Sequence, residues 1–149
     1  MGKSKEYITW DQYFMGVAKL SALRSKDPNT KVGACIVNEK KRIVGIGYNG
    51  LPYGCSDDEF PWERDGDFLE TKYPYVVHAE PNAILNSTNK LDNATLYVTL
   101  FPCNECAKLI IQSGIKEIVT DSKASSKWGD SCKVAVEMFK GAGVKITNV

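Results

Sequence analysis

The spacing of apolar residues along the chain predicts a helix first and a pair of strands after it. Residues 10–24 place apolar side chains at helical intervals, and Thr9 precedes them as a helix N-cap. The apolar set is Tyr13, Phe14, Val17, Leu20 and Leu23. Pro28 follows, and a proline biases the residue before it away from helical geometry. The pattern therefore predicts one helix over residues 10–24.

Two runs rich in valine and isoleucine come next, at residues 32–38 and 42–48. A short charged turn separates them, which is the pattern of a β-hairpin. Residues 50–76 then carry glycine, proline and charge in no regular period. A long irregular stretch inside a compact domain is more often a functional loop than filler.

The second half of the chain alternates between helical and strand patterns. Helices are predicted at 80–88, 104–114 and 130–143, and strands at 94–101, 116–121 and 144–149. Strands alternating with helices indicate parallel strands joined by right-handed crossovers. We therefore predict an α/β fold of three layers, α/β/α, around a five-stranded mixed sheet.

Composition and charge exclude several classes of protein. The chain has 149 residues, of which 43% are hydrophobic and 25% charged, and this fits one domain over residues 1–149. Its net charge is +1, and the basic residues are spread out, without the basic face of a duplex-binding protein. No stretch approaches the ~20 consecutive apolar residues of a membrane span. We expect no duplex nucleic acid and no membrane as partners.

The chain has 5 cysteines, and no apolar secretion signal precedes them. An odd number of cysteines without such a signal argues against a disulfide framework, so we expect a cytoplasmic protein with a metal-binding or catalytic use of thiols. Cys35 falls within an apolar strand and is expected in the core. Cys55 and Cys132 are expected in or beside surface segments.

The segment "FPCNECAKL" places Cys103 and Cys106 between a predicted strand and a helix. Alone, this C-x-x-C motif fits a redox dithiol, half of a structural zinc site, or two small core residues. His78, the only histidine, stands in "YVVHAEPNAIL". Three ligands, His78, Cys103 and Cys106, leave one tetrahedral position open, as in a catalytic zinc site.

Glu80 follows His78 by two positions, which gives H-x-E and then P-C-x-x-C. This is the signature of zinc deaminases that act on nucleobases. A lone histidine is more often a surface or core residue, and C-x-x-C alone is ambiguous. The joint pattern is much more specific, and Pro81 also suits the first turn of a helix.

At these residues the chain resembles the deoxycytidylate (dCMP) deaminases of the cytidine deaminase superfamily. The resemblance runs from Trp10 to Val144. The segments that carry it are "RSKDPNTKVGACIVN", "IVGIGYNGLPYGCSDD", "TKYPYVVHAEPNAI" and "LFPCNECAKLIIQSGIKE". It implies the cytidine deaminase type of fold, zinc on His78, Cys103 and Cys106, and Glu80 as proton shuttle.

The resemblance also implies residues that bind substrate and effectors. Asn49 in "GYNG" would hold the sugar. Ala79 is a further substrate-binding candidate. The candidates for the phosphate contacts are Arg24, Ser25, Lys26, Lys31, and Lys127 or Trp128. For the lysines a solvated surface charge is the alternative, and near Trp128 the family commonly has a tyrosine. The regulatory candidates are Gly47, Tyr48, Gly50 and Pro52.

The activity implied is zinc-dependent deamination of dCMP to dUMP and ammonia, which supplies dUMP for thymidylate synthesis. The resemblance further implies a homohexamer, activated by dCTP and inhibited by dTTP, with Mg²⁺ accompanying a triphosphate effector. Three alternatives stay open. The enzyme could accept dCTP as well as dCMP, it could be another cytidine or nucleic-acid deaminase, or the chain could be a zinc-stabilised binding module without activity.

Overall fold

The computed structural model describes residues 1–122 and 129–149 of the chain. The helices are α1 (Trp10–Ala22), α2 (Ala79–Asn86), α3 (Asn104–Gln112) and α4 (Asp130–Gly141). The strands are β1 (Gly33–Val37), β2 (Ile43–Tyr48), β3 (Thr95–Val98), β4 (Glu117–Thr120) and β5 (Lys145–Asn148). A single 3-10 turn, Phe68–Glu70, lies between β2 and α2. Each helix and strand predicted from the sequence is confirmed, with ends that differ by a few residues.

The strands form one sheet in the order β2-β1-β3-β4-β5. Strand β1 pairs antiparallel with both β2 and β3, whereas β3, β4 and β5 run parallel. The hairpin and the βαβαβ half predicted from the sequence therefore meet along β1 and β3. This confirms the mixed five-stranded sheet.

Each face of the sheet packs against its own helices. Alternate strand residues such as Cys35, Val37 and Tyr97 meet Phe14 and Met15 of α1 on one face. The opposite set of strand residues meets α2, α3 and α4 on the other face, where the larger core lies. The three-layer α/β/α arrangement is thus confirmed, and Cys35 is in the core as predicted.

Helix α1 begins with a capping box between Thr9 and Gln12. The Gln12 backbone N–H donates to Thr9 Oγ1 at 3.1 Å, and the Thr9 N–H donates to Gln12 Oε1 at 2.9 Å. The buried side of α1 consists of Phe14, Met15, Ala18 and Ala22. Other apolar residues of the predicted set, among them Leu20 and Leu23, are exposed, because the sheet contacts only one side of the helix.

Helix α2 lies unusually close to β2 because Gly47 has no side chain. A Cβ added at Gly47 would stand 2.4 Å from the Ala83 nitrogen and 2.5 Å from the Ala79 oxygen. Two amides of α2 then bind the strand, since Asn82 donates to the Tyr48 carbonyl at 2.8 Å and Asn86 donates to that of Ile46 at 2.8 Å. These contacts fix where α2 begins.

Two loops lie beside the start of α2, and we call residues 23–32 the first loop and residues 51–77 the long loop. Three side-chain contacts join them. They pair Lys26 with Asp57, Arg64 with Thr30, and Lys72 with Asp27. Within the part of the chain that the structure describes, no helix has the length and apolar character to cross a membrane.

Candidate metal centre and substrate cavity

The three predicted metal ligands stand at the starts of two helices. His78 is the N-cap residue of α2, and Cys103 is the N-cap residue of α3. Cys106 lies one turn into α3, and its backbone N–H donates to Cys103 Sγ at 3.4 Å. A backbone bridge between Gly50 and Val77 holds the residue before His78 against the end of β2, with N–O distances of 2.8 and 3.0 Å. The end of β2 and the starts of α2 and α3 therefore bring the three ligands together.

The spacing of these ligand atoms fits a tetrahedral zinc ion. His78 Nδ1 lies 3.2 Å from Cys106 Sγ and 3.6 Å from Cys103 Sγ, and the three ligand atoms fall within 4.8 Å of one another. With Zn–N near 2.1 Å and Zn–S near 2.3 Å, a tetrahedral site separates such atoms by about 3.6 Å. One imidazole and two thiols are also the ligand types that zinc prefers. The residues fit the metal.

The two cysteines of the motif differ in acidity. A hydrogen bond with Cys106 lowers the pKa of Cys103 to about 4, and hydrogen bonds with His78 and the Cys106 backbone act in the same direction. The hydrogen bond with Cys103 and burial raise the pKa of Cys106. The hydrogen bond with Cys103 also raises the pKa of His78. Cys103 is thus a thiolate at neutral pH, the form in which it binds a metal.

Glu80 lies in the first turn of α2, close to this cluster and only 4% exposed. Burial raises the pKa of Glu80, while the charge of His78 acts in the opposite direction. A carboxyl group with raised pKa is a better base than a solvated one, and it holds a proton more readily near neutral pH. The position suits a group that accepts and returns protons beside a metal.

A cavity of about 440 Å³ opens next to the cluster, a volume within the usual range for small-molecule sites. His78, Glu80 and Cys103 line one side of it. The predicted residues Asn49 and Ala79 also line it. The structure therefore brings two of the predicted metal ligands, the predicted proton shuttle and the predicted sugar residue to one cavity, and the third ligand, Cys106, contacts His78.

Asn49 is buried and binds the backbone of the first loop. Its Oδ1 accepts from the Val32 N–H at 2.8 Å, and its Nδ2 donates to the Thr30 carbonyl at 2.9 Å. Its own carbonyl accepts from Ser25 Oγ at 2.9 Å. An amide has a further donor and acceptor site beyond these bonds. Asn49 thus joins the first loop to the end of β2 and still has hydrogen-bonding capacity toward the cavity.

The other substrate-binding candidates of the first loop stand outside the cavity wall. Arg24 lies over the Tyr48 ring at 6.0 Å, Ser25 is buried against Asn49, and Lys26 pairs with Asp57. Lys31 is exposed. The candidates Lys127 and Trp128 fall outside the described residues.

The regulatory candidates are distributed along β2 and the turn that follows. Gly47 packs against α2, and Gly50 pairs with Val77, so both have a role in the fold. Tyr48 is half-buried beside Arg24, and Pro52 is exposed at the start of the long loop. None of the four lines the cavity described above.

Several cavity residues were not found by sequence reasoning. Asp27 and Thr30 of the first loop line the cavity, together with Arg64 and Lys72 of the long loop. Cys132, expected at or beside the surface, is buried and also lines it, because the first turn of α4 packs there. No periodic pattern marks these residues. The sequence signal is that Lys72 lies in the segment "TKYPYVVHAEPNAI" with His78, and that Asp27 and Thr30 lie in "RSKDPNTKVGACIVN".

Asp27 and Lys72 form a buried ion pair in the cavity wall. Their oxygen and nitrogen lie 2.5 Å apart, and the side chains are 1% and 9% exposed. Burial acts to raise the pKa of Asp27, but hydrogen bonds from Lys72 and from the backbone of Asn29 and Thr30 outweigh it, so the pKa is lowered. The carboxylate is therefore ionised, and both of its oxygens accept hydrogen bonds from residues of the two loops.

A family model matches residues 8–122, and its description is the cytidine and deoxycytidylate deaminase zinc-binding region. The match spans both halves of the metal motif and more than half of the chain. The chain belongs to the cytidine and deoxycytidylate deaminase family. Zinc is the metal bound by the matched region of this family, and it suits the His78, Cys103 and Cys106 cluster.

Curated members of the deaminase family resemble the chain over most of its length. The human deoxycytidylate deaminase is 56% identical over 146 residues, which cover 95% of this chain and 80% of the relative. A probable deoxycytidylate deaminase of Drosophila melanogaster is 53% identical and covers 96% of this chain and 73% of the relative. The resemblance stated from the sequence is confirmed.

A solved structure of the family has the same fold. The dCMP deaminase from the cyanophage S-TIM5, in complex with dCMP and dUMP, gives a TM-score of 0.74 with 26% sequence identity. The superposition covers 93% of this chain and 95% of the phage chain. The α/β fold of the cytidine deaminase type is therefore confirmed as well.

Proposed function

We propose that this protein hydrolyses dCMP to dUMP and ammonia with the help of zinc, and so supplies dUMP for thymidylate synthesis. One observation carries the proposal: the lining of a nucleotide-sized cavity contains a buried carboxylate together with two ligands of a His-Cys-Cys cluster. The curated relatives named deoxycytidylate deaminase and the phage enzyme bound to dCMP and dUMP support this substrate. We take the chain as one domain that carries the whole site.

His78, Cys103 and Cys106 would hold the zinc ion, which supplies a water that loses a proton near neutral pH. Glu80 accepts that proton and transfers it to N3 of the cytosine ring while the water oxygen bonds to C4. Glu80 then takes the remaining proton from the new C4 hydroxyl and delivers it to the amine, so that the C4–N bond breaks, the C4 carbonyl forms and ammonia leaves. The support for this role is the burial of Glu80 beside the metal ligands.

Asn49 and the Ala79 backbone would orient the sugar and the base against these groups. Both line the cavity, and Asn49 is held from two sides by the first loop. A group fixed in this way orients a substrate at small entropic cost.

The assembly and regulation implied by the family belong to the same proposal. We propose a cytoplasmic homohexamer that dCTP activates and dTTP inhibits, with Mg²⁺ accompanying the triphosphate. Large apolar side chains exposed on α1, among them Trp10, Tyr13 and Leu20, support an assembly.

Sedimentation gives the oligomeric state. Kinetics with each triphosphate, with and without Mg²⁺, test the regulation, and a monomer with hyperbolic kinetics would contradict it.

The first experiment is a screen for ammonia release with dCMP, dCTP, CMP and deoxycytidine as substrates. Zinc is measured on the same preparation, and we expect about one zinc per chain and dCMP as the preferred substrate. Similar rates with dCTP would favour the enzyme with a broader nucleotide range. Zinc without any deamination would favour a binding module.

A ligand substitution tests the metal itself. Cys103→Ser removes one of the two thiolates, and we expect zinc and activity to be lost together. The matched control is Cys55→Ser, because Cys55 is a half-exposed cysteine away from the cluster. A Cys103→Ser protein that is active without zinc would contradict the proposal.

A further inference from the structure

We propose that the long loop supplies the cations that bind the 5′-phosphate of the nucleotide, namely the Lys72 ammonium and the Arg64 guanidinium. The inference rests on the proposed function, since it assumes that the substrate is a nucleoside monophosphate. It replaces the first-loop lysines as the source of phosphate contacts. The first loop has a different part, which is to hold the two cations in place.

The composition of the cavity wall is the first argument. Of the described residues that line the cavity, Arg64 and Lys72 are the two that are arginine or lysine. Arg24 stacks over Tyr48 and Lys26 is paired with Asp57, both away from the cavity lining. A phosphate entering this cavity therefore meets the cations of the long loop.

The burial of Lys72 is the second argument. Lysine is almost never fully buried unless it is paired, and its burial is costly. Here the Lys72 side chain is 9% exposed, its ammonium is paired with Asp27, and the residue lines the cavity. Asp27 takes one of its N–H donors, and an ammonium has further donors to offer. Lys72 is thus a fixed cation with hydrogen-bonding capacity on the substrate side.

The Arg64 side chain is oriented by a hydrogen bond to an uncharged residue. Its Nη2 donates to Thr30 Oγ1 at 3.0 Å, which orients the guanidinium but leaves its charge uncompensated by that contact. A guanidinium has several other N–H donors in a fork that matches phosphate oxygens. The Thr30 contact therefore directs Arg64 toward the cavity without neutralising it.

Carboxylates also line the cavity and bear on this proposal. Asp27 is engaged by Lys72, and Glu80 lies beside the metal ligands. Asp65, the neighbour of Arg64, is exposed and lines the same wall. A carboxylate at this place repels a phosphate dianion. Its removal should strengthen phosphate binding, opposite to the effect expected from loss of Arg64.

The test compares ligands that differ only in the phosphate. Calorimetry gives the Kd of dUMP and of deoxyuridine for the zinc-loaded wild type and for each variant, and kinetics gives kcat/KM for dCMP and deoxycytidine. For Arg64→Gln we expect dUMP binding and kcat/KM for dCMP to fall by about 10- to 100-fold, because a charge-assisted hydrogen bond is lost. The values for deoxyuridine and deoxycytidine should change by less than about threefold.

Two further variants complete the design. Asp65→Asn should tighten dUMP binding by about two- to fivefold, because a like charge is removed. Lys72→Met combined with Asp27→Asn avoids an unpaired buried carboxylate, and it should weaken dUMP but not deoxyuridine. Arg42→Gln is the matched control, since Arg42 is exposed in the turn between β1 and β2, outside the cavity lining.

The outcomes separate this proposal from the proposed function. A wild type that deaminates dCMP, with variants that keep the wild-type preference for dUMP over deoxyuridine, would overturn the phosphate assignment alone. Variants that lose dUMP and deoxyuridine equally would overturn it too, because the role would then be structural. A wild type that deaminates neither substrate would overturn the proposed function itself.

Discussion

The two sides of the cavity are built in different ways. The metal side stands on the starts of two helices, with His78, Glu80 and Cys103 placed by α2 and α3. The loop side stands on the first loop and the long loop, where Asp27 meets Lys72 across 45 positions of sequence and Thr30 meets Arg64 across 34. Local backbone geometry fixes the first side, and long-range side-chain contacts fix the second.

This difference assigns separate tasks to the two sides. A proton shuttle must keep its position to within fractions of an ångström, and helix starts packed on a sheet are rigid supports. Loops tolerate exchange of residues and commonly carry specificity. Substitutions on the metal side should therefore change the rate of the chemical step, whereas those on the loop side should change stability and substrate preference.

The largest effect is expected on the metal side, at Glu80. Glu80→Gln removes the group that moves protons from water to N3 and to the amine, while the three metal ligands stay. We expect kcat for dCMP to fall by about 10⁴ or more, since one general acid–base group is typically worth 10²–10⁴ and this one serves several transfers. The measurement is loss of dCMP absorbance, with zinc content and melting temperature matched to wild type. Activity within tenfold of wild type would show that Glu80 is not the shuttle.

The next largest effect is expected on the loop side, at the buried ion pair. Lys72→Met leaves the Asp27 carboxylate buried without its partner, and we expect the free energy of unfolding to fall by about 3–5 kcal/mol. The Lys72→Met and Asp27→Asn double variant should recover most of this loss. Denaturant unfolding measures both. A single variant as stable as wild type would mean that the pair does not hold the loops together.

The same pair predicts how stability depends on pH. Because the pKa of Asp27 is lowered from its ordinary 3.8, the ionised carboxylate stabilises the fold above that pH. The stabilisation is lost as the pH falls below 3.8 toward the folded-state pKa. Between about pH 5 and pH 3 the wild type should therefore lose more stability than the double variant. Parallel losses in the two proteins would contradict the assignment.

A smaller effect is expected where the two sides meet, at Asn49. Asn49→Ala deprives the Val32 N–H and the Thr30 carbonyl of their partner, so we expect a loss of about 1–3 kcal/mol in the free energy of unfolding. KM for dCMP should rise and kcat/KM should fall by about tenfold, with zinc content unchanged. Stability lost with unaltered kinetics would show that Asn49 serves only the fold.

The smallest effect is expected at the helix amides that bind β2. Asn82→Ala should cost about 1 kcal/mol in unfolding free energy and lower kcat by less than tenfold, because it loosens the turn that carries Glu80. Asn86→Ala is the matched control, since it loses the same kind of bond one turn further along α2. Equal kinetic effects of the two variants would contradict a positional role for Asn82.

The metal side of the cavity could be predicted from the sequence, and most of the loop side could not. Strand and helix periods are local, so the mixed sheet was predictable, and the metal ligands could be found because each half of the motif lies within four residues. Arg64 and Lys72 carry no such signal, because their partners are set by how two irregular loops pack. The resemblance implied Lys26 and Lys31, but it could not show that Asp57 pairs with Lys26 and that neither lysine lines the cavity.

The contact between α2 and β2 has a consequence for association between chains. β2 is an edge strand, and free carbonyls on such a strand are a template for a strand from another molecule, which leads to aggregation. The carbonyls of Ile46 and Tyr48 are already occupied by the amides of Asn86 and Asn82. The helix that carries Glu80 therefore also covers an edge from which cross-β stacking could otherwise grow.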